Sequence, residues 1–393
     1  MFGTVFGQAM TATRRMNEWR LTGADVLRAE GFSDHPVSVR DGHIVDQGGR
    51  EIDLRGFCVL PGIVDLHGDG FERHLAPRRG AMKDLGPGLA ATDAELAANG
   101  ITTAVLAQFW SWEGGMRGPE FARRFLAALD AADGMLTDVL VQLRLETHML
   151  DDYADFEAAV SAHDVPYVVF NDHLPHKALA KGKKPPRLTG QALKAGRNPE
   201  THEALLKAMY ARKSEVPEAV SALAARLAMR QVRLGSHDDN TVEQRARWRG
   251  CGALISEFPE TREAAEAARA GGDAIVLGAP NVVRGNSHKG NVSAGDLVAD
   301  GLCDALASDY HYPAMKQAVL RLAADGVVSL EDGWRLISSG PAAVLGLEDR
   351  GEIEVGKRAD MLVMDANTGR VDATLVGGRV SFMAGEVAAR FMG

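Results

Sequence analysis

Six side chains able to hold metal ions fall where apolar, β-rich runs give way to loops. They are His67 and Asp69 in LPGIVDLHGD, Glu146 in VQLRLETH, His173 in YVVFNDH, His237 in VRLGSHDD and Asp309 in DALASDY. Imidazole and carboxylate ligands in this mixture suit two divalent ions, zinc first, with manganese or iron as alternatives. Two such ions bridged by water create a hydroxide nucleophile at neutral pH and clamp an oxyanion, which points to a hydrolase rather than a binding module. Glu146 is the candidate bridge, because a carboxylate has two oxygens to span two ions and an imidazole has not. Asp309 is a ligand candidate and also the candidate proton acceptor for the attacking water.

Each residue alone has a plainer reading. His67-Gly68-Asp69 can be a turn with a capping aspartate, His173 and His237 can be core histidines held by neighbouring aspartates, and Asp309 can cap a helix. Joint placement at strand ends decides for the metal site. There the neighbours Asp172, Asp238 and Asp239 become acceptors that fix imidazole tautomers. Arg144 shares a face with Glu146 and could orient it.

The elements that must position these residues alternate between short β-rich runs and alanine-rich segments with helical spacing. Eight strands are expected to start near Gly62, Ile101, Val139, Pro166, Val232, Gly252, Asp273 and Asp304. Helices are expected over Pro119 to Ala132, Asp155 to His163, Val216 to Arg230, Arg262 to Gly271 and Ala314 to Ala324. This is the α/β pattern of a distorted (β/α)₈ TIM barrel over residues 61–349, in which chemistry sits at the carboxyl ends of the strands. Glycine turns between short β patterns mark both ends of the chain, so residues 17–60 and 350–390 are expected to pair into one small β-sandwich. The first 16 residues show no structural period and are expected to be a disordered leader.

Polar loops near those strand ends could hold an anionic substrate. Asn281, Arg284, Ser287 and His288 lie in one loop, GAPNVVRGNSHKG, that offers amide, guanidinium, hydroxyl and imidazole donors. Arg73, His74, Arg78 and Arg79 form a second basic cluster. From Lys177 to Arg197 there are seven cations and no acid, in a stretch that reads as a mobile lid. Such local cations are needed, since 44 Lys and Arg against 53 Asp and Glu give a net charge of −9. That balance argues against a general nucleic-acid partner, so an anionic ligand such as a small phosphorylated substrate must be attracted locally. Cys58, Cys251 and Cys303 show no paired spacing, and no apolar run approaches the roughly 20 residues of a membrane helix. The arginines near the N-terminus follow the apolar stretch, which is not the order of a signal peptide, so a cytoplasmic location away from membranes is expected. The sequence leaves a homo-oligomer open.

Pro61 to His67 followed late in the chain by Gly356-Lys357-Arg358-Ala359-Asp360 resembles the amidohydrolase superfamily, which implies the barrel and flanking β-sandwich. LPGIVDLHGDGFERHLAPR, LGSHDD, ISEFPETREAAEAAR, GAPNVVRGNSHKGNVSA and SDYHYP resemble one family within it. Its members are the diphosphatases that act on α-D-ribose 1-methylphosphonate 5-triphosphate in phosphonate catabolism. That resemblance implies attack on the α-phosphorus, giving the 5-phosphate and diphosphate. The alternative is hydrolysis of a C–N bond at the same centre, as by an amino-sugar-phosphate deacetylase or a cyclic amidase.

Overall fold

A computed structural model describes residues 18–76, 84–285 and 292–393. The segment expected to be a leader, residues 1–16, lies outside them, as do Arg78, Arg79, Ser287 and His288.

The chain opens with seven short strands: β1 (Trp19–Thr22), β2 (Asp25–Arg28), β3 (Gly31–Ser33), β4 (Val37–Arg40), β5 (His43–Val45), β6 (Arg50–Asp53) and β7 (Phe57–Pro61). Eight more follow: β8 (Ile63–Gly68), β9 (Ile101–Trp110), β10 (Asp138–Glu146), β11 (Tyr167–Asn171), β12 (Arg233–His237), β13 (Ile255–Glu257), β14 (Ala274–Gly278) and β15 (Ala305–Ala307). The last three are β16 (Met361–Asp365), β17 (Val371–Val376) and β18 (Arg379–Met383).

Strands β8 to β15 form one parallel sheet in chain order. It curls until Gly68 pairs with Asp309 beyond the end of β15. Lower down, Leu336 and Ile337 wedge between the first and last strands, accepting from Leu306 and Val64. The result is a nearly closed, distorted eight-stranded barrel with helices outside. β9 is buried along all ten residues of ITTAVLAQFW, as expected of a parallel strand covered on both faces. The five expected helices form at Pro119–Asp130, Tyr153–Ala162, Val216–Met229, Arg262–Ala270 and Ala314–Ala324.

Two further sheets come from the chain ends. One has the order β5-β4-β1-β6; the other, β18-β17-β16-β7-β2-β3, joins strands from both termini through the antiparallel β16–β7 pair. Their inner faces share a core that includes Trp19, Leu21, Val59, Met361 and Leu375.

An ion-pair cluster ties this terminal region to the base of the barrel. Arg350, 8% exposed, and Arg358 both meet the Asp138 carboxylate at the start of β10. Burial pushes the Asp138 carboxyl up, but these two guanidiniums outweigh it and hold its pKa below the usual value. A depressed carboxyl pKa adds stability above its unfolded value near 4, and that contribution is lost as pH falls through the folded pKa. Asp138→Asn is therefore expected to lower unfolding stability by about 2 kcal/mol at pH 7. Urea unfolding at pH 7 and pH 3 checks this: the gap between variant and parent should narrow at the lower pH, and an equal gap at both would refute the account.

Candidate metal centre

Strand alternation decides which side chains reach the barrel interior. On β10, Val141, Leu143 and Leu145 face the helices, so Gln142, Arg144 and Glu146 climb the inner face toward the mouth. On β11, Tyr167 and Val169 point inward, and the same parity carries on to His173. Leu234 faces outward on β12 and sends His237 inward, while Ala305 and Ala307 set the parity for Asp309. β8 alone would send His67 outward, because Val64 and Leu66 face the interior. A register shift opposite Ala104 and Leu106 inserts one extra residue between Asp65 and Gly68 and turns His67 in.

The six expected residues thus converge, with His237 in the middle. Its ring centroid lies 5.5 Å from that of His67 and 6.1 Å from that of His173. Asp69 and Asp309 are joined through the backbone, Asp69 N donating to Asp309 O at 2.8 Å and Asp309 N to His67 O at 3.0 Å. Glu146 accepts from His173 Nδ1 at 2.5 Å and from Trp112 Nε1 at 3.2 Å. Asp238 lies 3.6 Å from His173 Nε2 and 3.1 Å from His237 Nδ1.

Arg144 does something other than orient Glu146. Its guanidinium lies over the Phe109 ring at 3.9 Å and reaches between two histidines, 2.9 Å from His237 Nε2 and 3.4 Å from His67 Nε2. Asp69 Oδ2 is 3.9 Å away. An arginine can only donate, so both Nε2 atoms present lone pairs to it. His67 must then carry its proton on Nδ1 and give it to Glu257 Oε2 at 2.8 Å. Glu257 is held in turn by Gln142 at 2.6 Å and the Tyr167 hydroxyl at 2.7 Å, all inside the barrel.

These charges set the protonation states. Burial pushes the His237 imidazole below its usual pKa, which keeps it neutral. Burial alone would also lower His173, but the Glu146 carboxylate against it and Asp238 push it up to about 10. Asp309 is pushed up to about 6, by burial first and then by the Asp69 carboxylate nearby. The backbone is constrained here as well. Asp238, Phe258 and Asp309, each just past a strand end, have φ of 60°, 52° and 53°. For a bulky residue such as Phe258 this left-handed conformation is strained, and its ring is edge-on to both His67 and His237.

The donor set fits divalent ions. Two imidazole lone pairs face one guanidinium, with the Asp69 carboxylate beside it, so a cation already stands among them. His67, His237 and Glu257, and also His173, His237 and Asp238, each offer one ligand atom within 4.8 Å of the others in their group, which could hold a metal ion.

Several supporting residues escaped sequence reasoning. Glu257 fixes His67. Asp65 accepts from Ser308 N at 3.0 Å and from Ser308 Oγ at 2.5 Å, locking β8 to the turn that carries Asp309. Asp239 turns away from the centre to Ser236, Ser256 and Arg245, and Asp172 turns to His148 and His176. The basic stretch expected as a lid is folded into helices His176–Ala180 and Leu188–Lys194, whose Leu179 and Leu188 pack with Trp112.

Of the substrate candidates, Arg284 donates to the Tyr310 hydroxyl at 2.7 Å, one residue from Asp309. Asn281 lines a cavity of about 100 Å³ with Asp238 and Phe258. Lys177 is exposed on its helix, and His74 is held by Glu95 at 2.5 Å. Arg78, Ser287 and His288 fall outside the described residues.

A barrel of this form with imidazoles and carboxylates at its carboxyl end defines a class, and sequence comparison fixes it. The chain belongs to the Amidohydrolase family, whose profile matches residues 70–386, and it is a hydrolase. The α-D-ribose 1-methylphosphonate 5-triphosphate diphosphatase of Escherichia coli (strain K12) is 33% identical over 321 residues, covering 79% of this chain and 84% of that protein. Two solved structures share the fold. The β-aspartyl dipeptidase of Fervidobacterium islandicum AW-1 is 16% identical with a TM-score of 0.59, over 93% of this chain and 97% of that one. The N-acyl-D-glutamate deacylase of Bordetella bronchiseptica, complexed with zinc and a phosphonate inhibitor, is 15% identical with a TM-score of 0.59, over 94% and 97%. Among the described residues no helix is long and apolar enough to cross a membrane.

Proposed function

We propose that this chain hydrolyses α-D-ribose 1-methylphosphonate 5-triphosphate to the 5-phosphate and diphosphate. The observation that carries the substrate class is the 33% identity to the Escherichia coli diphosphatase over most of both chains. Divalent ions, which the six residues including Glu146 would hold, would supply charge neutralisation and an activated water. Asp309 would be the proton acceptor: burial and the Asp69 carboxylate push its carboxyl up to about 6, which makes it a stronger base than an ordinary aspartate. Phosphoryl transfer then depends on positioning and on neutralising spread charge. Arg284 beside Tyr310, with Arg73 donating to Tyr310 O at 3.0 Å, sets two cations around the residue that follows Asp309.

The test is direct competition between the ribose triphosphate and a C–N substrate such as an N-acetyl amino-sugar phosphate. Diphosphate release should dominate; faster turnover of the amide would move the chain to the C–N alternative. Arg284→Ala is expected to raise KM for the triphosphate about tenfold with a smaller change in kcat. An unchanged KM at low and high salt would remove Arg284 from substrate binding.

A further inference from the structure

The residues that flank the inner ligands point the other way. Glu146 and His173 turn into the barrel, whereas His148, two residues on, and Asp172, one residue before, turn out toward the helices. There they meet His176 at the start of its helix, beside a cavity of about 210 Å³. Val216, Pro217 and Val220 form one wall of this cavity, and Arg247, Trp248 and Cys251 another. None of the six inner candidates lines it.

We propose that His148, Asp172 and His176 form a separate zinc site on the outer side of β10 and β11. One ligand atom from each lies within 4.8 Å of the other two. His148 Nε2 is 3.5 Å from Asp172 Oδ1, and His176 Nε2 is 2.8 and 2.9 Å from the two Asp172 oxygens. Tetrahedral zinc with bonds of about 2.0–2.1 Å keeps its ligand atoms roughly 3.3 Å apart. The His148–Asp172 spacing already matches, and His176 needs to withdraw by about half an ångström.

A second observation concerns His148 itself. Its side chain is 3% exposed, yet Nδ1 has no hydrogen-bond partner among the described residues, and the Nε2 contact is at the outer limit for a hydrogen bond. A metal bond at Nε2 would replace that marginal contact with Asp172, while Nδ1 faces away from the site. Two imidazoles and one carboxylate leave a fourth position open toward the cavity, the arrangement of a three-ligand zinc site. Only one negative charge opposes the ion, so hydroxide or a small anion completes it. Lys213, whose ammonium lies 2.8 Å from the Tyr210 hydroxyl, and Arg247 on the cavity lining favour that anion. Zinc here would clamp the ends of β10 and β11 from behind, next to Glu146 and His173.

The experiment equilibrates full-length protein with micromolar free zinc and counts ions by elemental analysis. His176→Ala is expected to hold about one zinc fewer per chain than the parent, and His176→Cys, which restores a zinc ligand, should recover it. Equal zinc in parent and His176→Ala overturns the proposal. Loss of all zinc from His176→Ala also overturns it, since the cluster would then act only through the inner centre. Crystals of the parent soaked in zinc give a check that needs no variant: anomalous density should lie between the three side chains, and its absence there refutes the site.

Discussion

Asp309→Asn is expected to lower kcat by about 10³-fold or more, roughly 4 kcal/mol of transition-state stabilisation, while the protein keeps at least one metal ion. Asparagine retains an oxygen that can ligate but cannot accept a proton. Its backbone should hold, because Asp309 sits at φ 53°, a conformation asparagine tolerates as well as aspartate. The Gly68 pairing and the Asp65–Ser308 bonds that place this turn do not involve the substituted side chain. A variant within about tenfold of the parent would have lost only about 1.4 kcal/mol, and Asp309 would not be the base. Elemental analysis of the same preparation separates loss of the base from loss of the metal.

The barrel was legible because its strands are apolar runs bounded by turns, a pattern that survives in a single sequence. All eight starts, from Gly62 to Asp304, fall within three residues of the strands observed. Helices with an apolar stripe, such as Arg262–Ala270, were equally clear. Helix Val242–Gly250 was not, since VEQRARWRG is almost wholly polar; it forms because the Thr241 cap and the buried Arg245 tie it to Asp239 and Asp273. The helical fold of the basic 177–197 stretch was hidden for a related reason. Its glycines and prolines read as a loop, and the apolar residues that pack on Trp112 are too few to show a period.

At the centre, the visible residues were those whose types alone suggest ligation. Their partners come from distant strands and carry no local signal. Glu257 reaches His67 across 190 residues, and Ser308 reaches Asp65 across 243. Parity offered one clue: Gln142, Arg144 and Glu146 alternate with Leu143 and Leu145, so all three polar groups share an inner face. The role of Arg144 still depended on the bulge that turns His67 inward, and a bulge in β8 cannot be inferred from IVDLHG.

Stripping the metal with a strong chelator is expected to abolish turnover, by more than about 10³-fold, and zinc, manganese or iron should restore it. The fold should outlast the activity. Without divalent ions much of the centre remains paired: Arg144 lies between His67 and His237, His173 against Glu146, and Glu257 beneath His67. The buried carboxylates of Glu146 and Glu257 keep their partners, so for them the severe penalty of an uncompensated charge does not arise. What is lost is binding free energy, about 2.7 kcal/mol for a ligand at 100 times its Kd, or roughly 3 °C in Tm for a chain of this size. A guanidinium in the same place cannot replace the ions, because it has no vacant coordination position for water and cannot lower its pKa. Circular dichroism melting and activity, measured on one stripped sample with its residual metal counted, should therefore part company. Full activity in protein shown to hold no metal would sink the two-metal reading, and global unfolding on stripping would show that the ions, not the pairing around Arg144, hold the centre together.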